Sequence, residues 1–117
     1  MELQYSELNN GIRVIKLNGK LDVLGAGEIE TKFTGHCAGG KVHVLTDLSE
    51  VSFLASIGIR MLIVNAKSIA GRGGKMALVN PVPEVKHVLE LSGIPSIIPI
   101  YSDVESARVG ILSEKYG

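Results

Sequence analysis

The sequence predicts an α/β fold: one mixed β-sheet, mostly parallel, opened by an antiparallel hairpin and packed with about four helices. Three observations carry this prediction. Segments of β-type patterning alternate with segments of helical period, which implies parallel strands joined by right-handed crossovers. The exception is the start, where two short β-like segments flank Asn9-Asn10-Gly11, a hairpin turn signal. Finally, 117 residues with 45% apolar and 21% charged side chains can bury one core without disulfides or metals, so a single domain over residues 1–117 is expected.

The elements follow in order. Leu3–Leu8 and Ile12–Leu17 are the two strands of the hairpin. Asp22 caps a first helix whose apolar positions Ala26, Ile29 and Phe33 fall three and four apart, ending before Gly39-Gly40. Val42–Leu48 is rich in β-branched and apolar residues, which suits a central strand buried on both faces. A second helix starts at Ser56, with Ile59, Leu62, Ile63, Ala66 and Ile69 or Ala70 inward, and stops at Gly71-Arg72-Gly73-Gly74. Met76–Val79 is a strand. Pro83 then opens a third helix, with Val85, Val88 and Leu89 inward and Gly93 as its stop. Ile97–Ile100 reads as a last strand, placed at a sheet edge because Pro99 has no ladder donor. Ser102-Asp103-Val104-Glu105 has the form of a capping box, and Val104, Ala107, Arg108, Ile111 and Leu112 follow at helical spacing.

Composition excludes several classes of function. Twelve basic and 12 acidic residues cancel, so no net field favours a phosphate backbone or an anionic membrane surface. The lone Cys37 has no bridging partner, the start Met-Glu-Leu-Gln-Tyr lacks signal-peptide character, and no apolar run is long enough to cross a membrane. A cytoplasmic protein, monomeric or weakly dimeric, is the expectation.

The second helix is unusual in being apolar on two sides. At about 100° per residue, Ile57, Met61 and Val64 fall opposite Ile59, Leu62, Ile63 and Ala66. The second stripe either lies beneath another element or is a docking surface. Arg60, Lys67 and Ser68 border it as a polar rim would border an interface. Ser56 stands at the start of this helix, where its hydroxyl could act as an N-cap. A phosphate on Ser56 would meet free backbone donors and the positive dipole end, so the fold would tolerate it, while an apolar partner would be repelled. Gly58, lacking a side chain, would leave room for a partner or a kinase to approach closely.

Rival chemistries fail on spacing. Leu54-Ala55-Ser56-Ile57-Gly58 lacks the first glycine of a nucleophile elbow, and Glu84 and His87 sit three residues apart on one short helix. Gly71-Arg72-Gly73-Gly74-Lys75 follows a helix and precedes a strand, and Met76 occupies the hydroxyl position of a phosphate loop. His36, His43 and His87 have no metal-ligand spacing with each other or with Cys37. No enzyme, cofactor or metal is expected.

Two segments carry a family resemblance: Leu17-Asn18-Gly19-Lys20-Leu21-Asp22, and Asp47-Leu48-Ser49 followed by Val51-Ser52-Phe53-Leu54-Ala55-Ser56-Ile57-Gly58-Ile59. In order and spacing they resemble the STAS family of the anti-sigma factor antagonist type, over nearly the whole chain. The resemblance implies that Ser56 is phosphorylated by a serine kinase that doubles as an anti-sigma factor, and dephosphorylated by a PP2C-type phosphatase. It also implies that the unphosphorylated form binds that kinase and releases its sigma factor. Partner contact is then expected at Asp22, Ala55, Ser56, Ile57, Gly58, Arg60, Met61 and Val64. One departure stands out: Ala55 replaces the acidic residue that commonly precedes the family's serine, which leaves a constitutive docking module, unmodified at Ser56, as the alternative.

Overall fold

The computed structural model describes residues 1–113; the expected domain extends to 117, and residues 114–117 lie outside the described residues. Five strands form one sheet in chain order: β1 (Glu2–Glu7), β2 (Arg13–Leu21), β3 (His43–Leu54), β4 (Lys75–Val79) and β5 (Ile100–Tyr101). β1 runs antiparallel to β2, and every later pairing is parallel. Helices α1 (Val23–Cys37), α2 (Ser56–Gly71), α3 (Pro83–Leu91) and α4 (Val104–Ser113) make the connections and close the described chain. The expected mixed sheet, central third strand and edge position of the last strand are all present.

Alternation along the strands divides the core between two faces. Ile15, Leu17, Val44, Leu48 and Leu78 face α1, α2 and α3, where Phe33, Leu62, Ile69 and Leu89 complete the larger cluster. Val14, Leu45, Ala77 and Val79 face the other way and are covered by Ala107 and Ile111 of α4. Complete burial of a Leu, Ile or Phe side chain contributes about 1.5–3 kcal/mol, so the three-helix face carries most of the stability.

Four features differ from the sequence expectation. β2 does not stop at Leu17 but runs from Arg13 to Leu21, staying paired with β3 to its end. β3 does not stop at Leu48 but continues to Leu54, because the polar Asp47-Leu48-Ser49 step is absorbed as a pairing irregularity. Asp47 Oδ1 accepts the Ser49 backbone N–H at 2.9 Å at this shift, and Gly19, at φ 122°, lies at a second shift, between Gly19 and Lys20. At the other edge, Ile94–Ser96 is a short 3-10 turn, leaving only Ile100 and Tyr101 paired. Finally, Ser102 does not cap α4: Asp103 Oδ1 accepts the Ser106 N–H at 2.7 Å, and Glu105 pairs with Arg108. A carboxylate one residue later thus displaces the hydroxyl and its box.

Candidate functional site

The site lies at the C-terminal edge of the sheet, where β2 and β3 end side by side. Their last residues, Leu21 and Leu54, are paired, and the next residues turn into α1 and α2. Two parallel strands ending in register therefore bring two helix N-termini together. The Ala55 N–H donates to the Leu21 carbonyl at 3.0 Å and ties the junctions directly.

The two helix starts have nearly the same backbone and different chemistry. Asp22 caps α1 from φ −107°, ψ −167°, and its Oδ1 accepts the Gly25 N–H at 2.8 Å. Ala55 occupies the same position on α2, at φ −100°, ψ 167°, and makes no side-chain cap. Ser56 is consequently the first residue of the helix and not its N-cap. Its side chain is exposed, and among the described residues it makes no hydrogen bond, to a histidine or otherwise. The first turn of α2 contains no acidic residue; the Gly58 and Ile59 N–H groups donate to the Ala55 carbonyl at 3.0 and 3.2 Å, which leaves the Ser56 and Ile57 N–H groups and the positive dipole end beside the hydroxyl.

Gly58 has a different role from the one expected. It is buried, and a Cβ there would lie 2.5 Å from Leu21 Cγ and 3.0 Å from the Leu21 carbonyl oxygen. Its missing side chain admits β2, not a partner. Gly25 repeats the arrangement on α1, where a Cβ would fall 1.9 Å from the Lys20 carbonyl oxygen.

The second apolar stripe of α2 is split. Ile57 and Val64 are 42% and 54% exposed, with Arg60, Lys67 and Ser68 exposed around them. Met61, expected on the same open surface, is 4% exposed and belongs to the core cluster. The cause is α1, which packs beside α2 and covers one flank of a helix whose underside already rests on the sheet. Between them runs a groove of about 380 Å³ with Met61 at its base. Asp22 and Ala55 are half-buried beside Ser56.

Three residues that sequence reasoning did not single out share this edge. Val23 and Leu24, in the first turn of α1, are 72% and 74% exposed, and Phe53, near the end of β3, is 51% exposed. Val23 and Leu24 lie off the Ala26, Ile29, Phe33 stripe, and that mismatch was the available signal. Together with Ile57, the neighbour of Ser56 in sequence, they give the edge that carries this hydroxyl an exposed apolar surface, an arrangement suited to protein contact.

Comparison with known proteins gives this geometry a family. The family model of the STAS domain matches residues 6–107. The chain is 28% identical to an anti-sigma F factor antagonist of Paenibacillus polymyxa over 92% of this chain and 93% of that one. It superposes on the crystal structure of an anti-sigma factor antagonist from Mycobacterium paratuberculosis with a TM-score of 0.85 at 22% identity, covering 94% of this chain and 92% of that one. The Bacillus cell fate determinant SpoIIAA in its phosphorylated form superposes with a TM-score of 0.70 at 22% identity, over 94% and 99% of the two chains. The match runs from the end of β1 into α4 and includes both helix starts, and the chain belongs to the STAS domain family.

Proposed function

We propose that the chain is an anti-sigma factor antagonist, a regulatory binding protein and not a catalyst, switched by phosphorylation of Ser56. In this reading the unmodified protein holds a serine-kinase anti-sigma factor through the apolar edge around Ser56, and the sigma factor goes free. Phosphorylation by that kinase ends the complex, and a PP2C-type phosphatase restores it. The observation that carries the proposal is the placement of Ser56: an exposed, unengaged hydroxyl on the first turn of α2, next to the exposed Ile57 and at the sheet edge that also exposes Val23, Leu24 and Phe53. A phosphate there is stabilised by the helix end, yet sets nearly two negative charges against any apolar partner surface. The names of the relatives support the antagonist role, and the phosphorylated form known for SpoIIAA supports the modification.

A second reading has its own observation. Ala55 stands where the family commonly carries an acidic residue, so a kinase that reads that carboxylate would use this chain poorly, and the same edge would serve as a constitutive docking module. Phosphopeptide mass spectrometry on protein from its native cells, with and without PP2C-type phosphatase, separates the two. Removable phosphate on Ser56 is expected; none across growth conditions would leave the unmodified module. In binding assays, Ser56→Ala should hold the anti-sigma factor and Ser56→Asp should release it, and equal affinities would sink the switch.

A further inference from the structure

We propose that Leu21 is a positioning residue for Ser56: from the end of β2 it holds the first turn of α2 in place of an N-cap, and so fixes how the serine is presented to a kinase. The inference rests on the antagonist reading and adds a residue outside α2 to the phosphorylation site. Three of the four described helices carry a starting device of their own. Asp22 caps α1 and Asp103 caps α4, each carboxylate accepting a backbone N–H three residues on, and Pro83 opens α3 with its φ already set. α2 has neither device: Ala55 makes no side-chain cap, and no proline follows it. Its opening residues Ser56-Ile57-Gly58-Ile59 are also poor helix formers, two of them β-branched and one a glycine. A start of this kind frays unless tertiary contacts hold it.

Those contacts come from Leu21. Its carbonyl accepts the Ala55 N–H at 3.0 Å, which anchors the residue just before the helix. Its side chain is fully buried and lies so close to the Gly58 backbone that a Cβ at 58 would sit 2.5 Å from Cγ and 2.9 Å from Cδ2. The turn is therefore gripped on both sides of Ser56, at residues 55 and 58, by one residue that pairs with Leu54 across the sheet. A brace and a cap differ in what they leave open. A capping side chain at 55 would compete for the Gly58 N–H and place an oxygen at the helix start. The brace lies on the sheet side and leaves the exposed face of the turn, with the Ser56 hydroxyl, clear. Gly58 is then one half of a matched pair, unfavourable to the helix and necessary for Leu21.

The test measures amide hydrogen exchange by NMR on the full chain, together with phosphorylation by a purified serine-kinase anti-sigma factor from the same organism. The variants are Leu21→Ala, Ala55→Asn and their combination. In Leu21→Ala the Ala55, Gly58 and Ile59 amides should exchange about tenfold faster or more, beyond any change at Lys86. The Lys86 N–H donates to the Val82 carbonyl at 2.8 Å at the start of α3, away from Leu21, and reports global opening. KM for Ser56 should rise about threefold with kcat unchanged, as for a turn ordered about a third of the time. Asparagine at 55 supplies a cap without charge, so the double variant should recover the exchange protection and KM of Ala55→Asn alone. Equal acceleration at the α2 amides and Lys86, no recovery with the cap, or an unchanged KM in a chain that is phosphorylated would overturn the proposal. A wild-type chain that is not phosphorylated, with the exchange pattern as expected, would overturn the switch and with it the role toward a kinase, while the brace stands. Should Leu21→Ala fail to fold by circular dichroism, Leu21→Val, a smaller truncation, takes its place with the same outcomes.

Discussion

Ala55→Asp should stabilise this protein, and α1 supplies the scale. The N-cap positions of α1 and α2 share an extended backbone, at φ −107° for Asp22 and φ −100° for Ala55. Each is followed three residues later by a buried glycine, and in α1 that glycine's N–H donates to the aspartate at 2.8 Å. In α2 the Gly58 N–H donates to the Ala55 carbonyl at 3.0 Å. An aspartate at 55 would take it over as Asp22 takes the Gly25 N–H, so the gain lies at or below the usual worth of a cap. Gaining a cap from alanine is worth about 1 kcal/mol, and a negative charge at the dipole end adds about 0.3–1 kcal/mol at low salt. For a domain of this size, 1 kcal/mol moves the melting temperature by about 4 °C, so a rise of up to about 5–8 °C is expected in differential scanning calorimetry. Ala55→Ser should give the cap share alone, and added salt should remove only the difference between the two variants. Asp22→Ala should lose about 1 kcal/mol in the mirror experiment. An unchanged or lower melting temperature for both position 55 variants would refute the equivalence of the two helix starts. The same reasoning makes Ser56→Ala nearly neutral for stability, since Ser56 is not the cap.

Met61→Glu should destabilise by several kcal/mol, about 3 or more, because it places a carboxylate at a position 4% exposed, whereas Val64→Glu, at 54% exposed, should fold normally and weaken only partner binding; urea melts of the two variants make the comparison. Gly58→Ala sets overpacking against the fully buried Leu21, at about 1–3 kcal/mol, against about 1 kcal/mol of helix propensity, so chemical denaturation should show a net loss; a gain would mean that α2 can shift freely. His43 should make the fold acid-sensitive: burial, then Lys41 and Lys75, lower its pKa below the usual 6.5, and its Nδ1 accepts the Lys75 N–H at 3.1 Å. The unfolded chain then takes up the proton first, so this stability is present above pH 6.5 and lost as pH falls through the lower folded pKa. Urea midpoints between pH 7.5 and 5 should fall more for wild type than for His43→Gln, and parallel curves would refute the assignment.

The mixed sheet, its central strand and the helix that begins at Ser56 were legible because they are written locally: β-rich runs between glycine breaks, and a serine where a helical period begins. Misreadings arose where one element answers to two neighbours. A helical wheel gives α2 one inner face, and Met61 lies about 200° from Ile59 on it; but α1 covers a second flank, so Met61 is core while Ile57 and Val64 remain open. Asn65 escaped notice for the complementary reason, since a polar residue on a wheel reads as solvent-facing, and only packing shows it nearly closed in. Gly58 was readable as a need for space but not as space for Leu21, which is 37 positions earlier in the sequence and adjacent only through the pairing of β2 with β3. The end of the third strand was misplaced at Leu48 because an Asx hydrogen bond and a pairing irregularity interrupt its pattern at Asp47-Leu48-Ser49.

These contacts also decide what kind of switch the site can be. Leu21 has two roles at once: its carbonyl receives the Ala55 N–H, and its fully buried side chain fills the space that Gly58 leaves. The start of α2 is therefore braced against β2 by a hydrogen bond and by close packing, immediately below Ser56. On the proposed reading, a phosphate on Ser56 would project from an exposed position and leave both contacts in place, and the helix end would favour its charge. With both contacts left in place, the proposed phosphorylation would act at the surface itself, where charge and bulk would replace an apolar contact. A rigid surface altered at one point suits reversible partner exchange, because the energy of the modification goes into the difference between bound and free states and not into refolding.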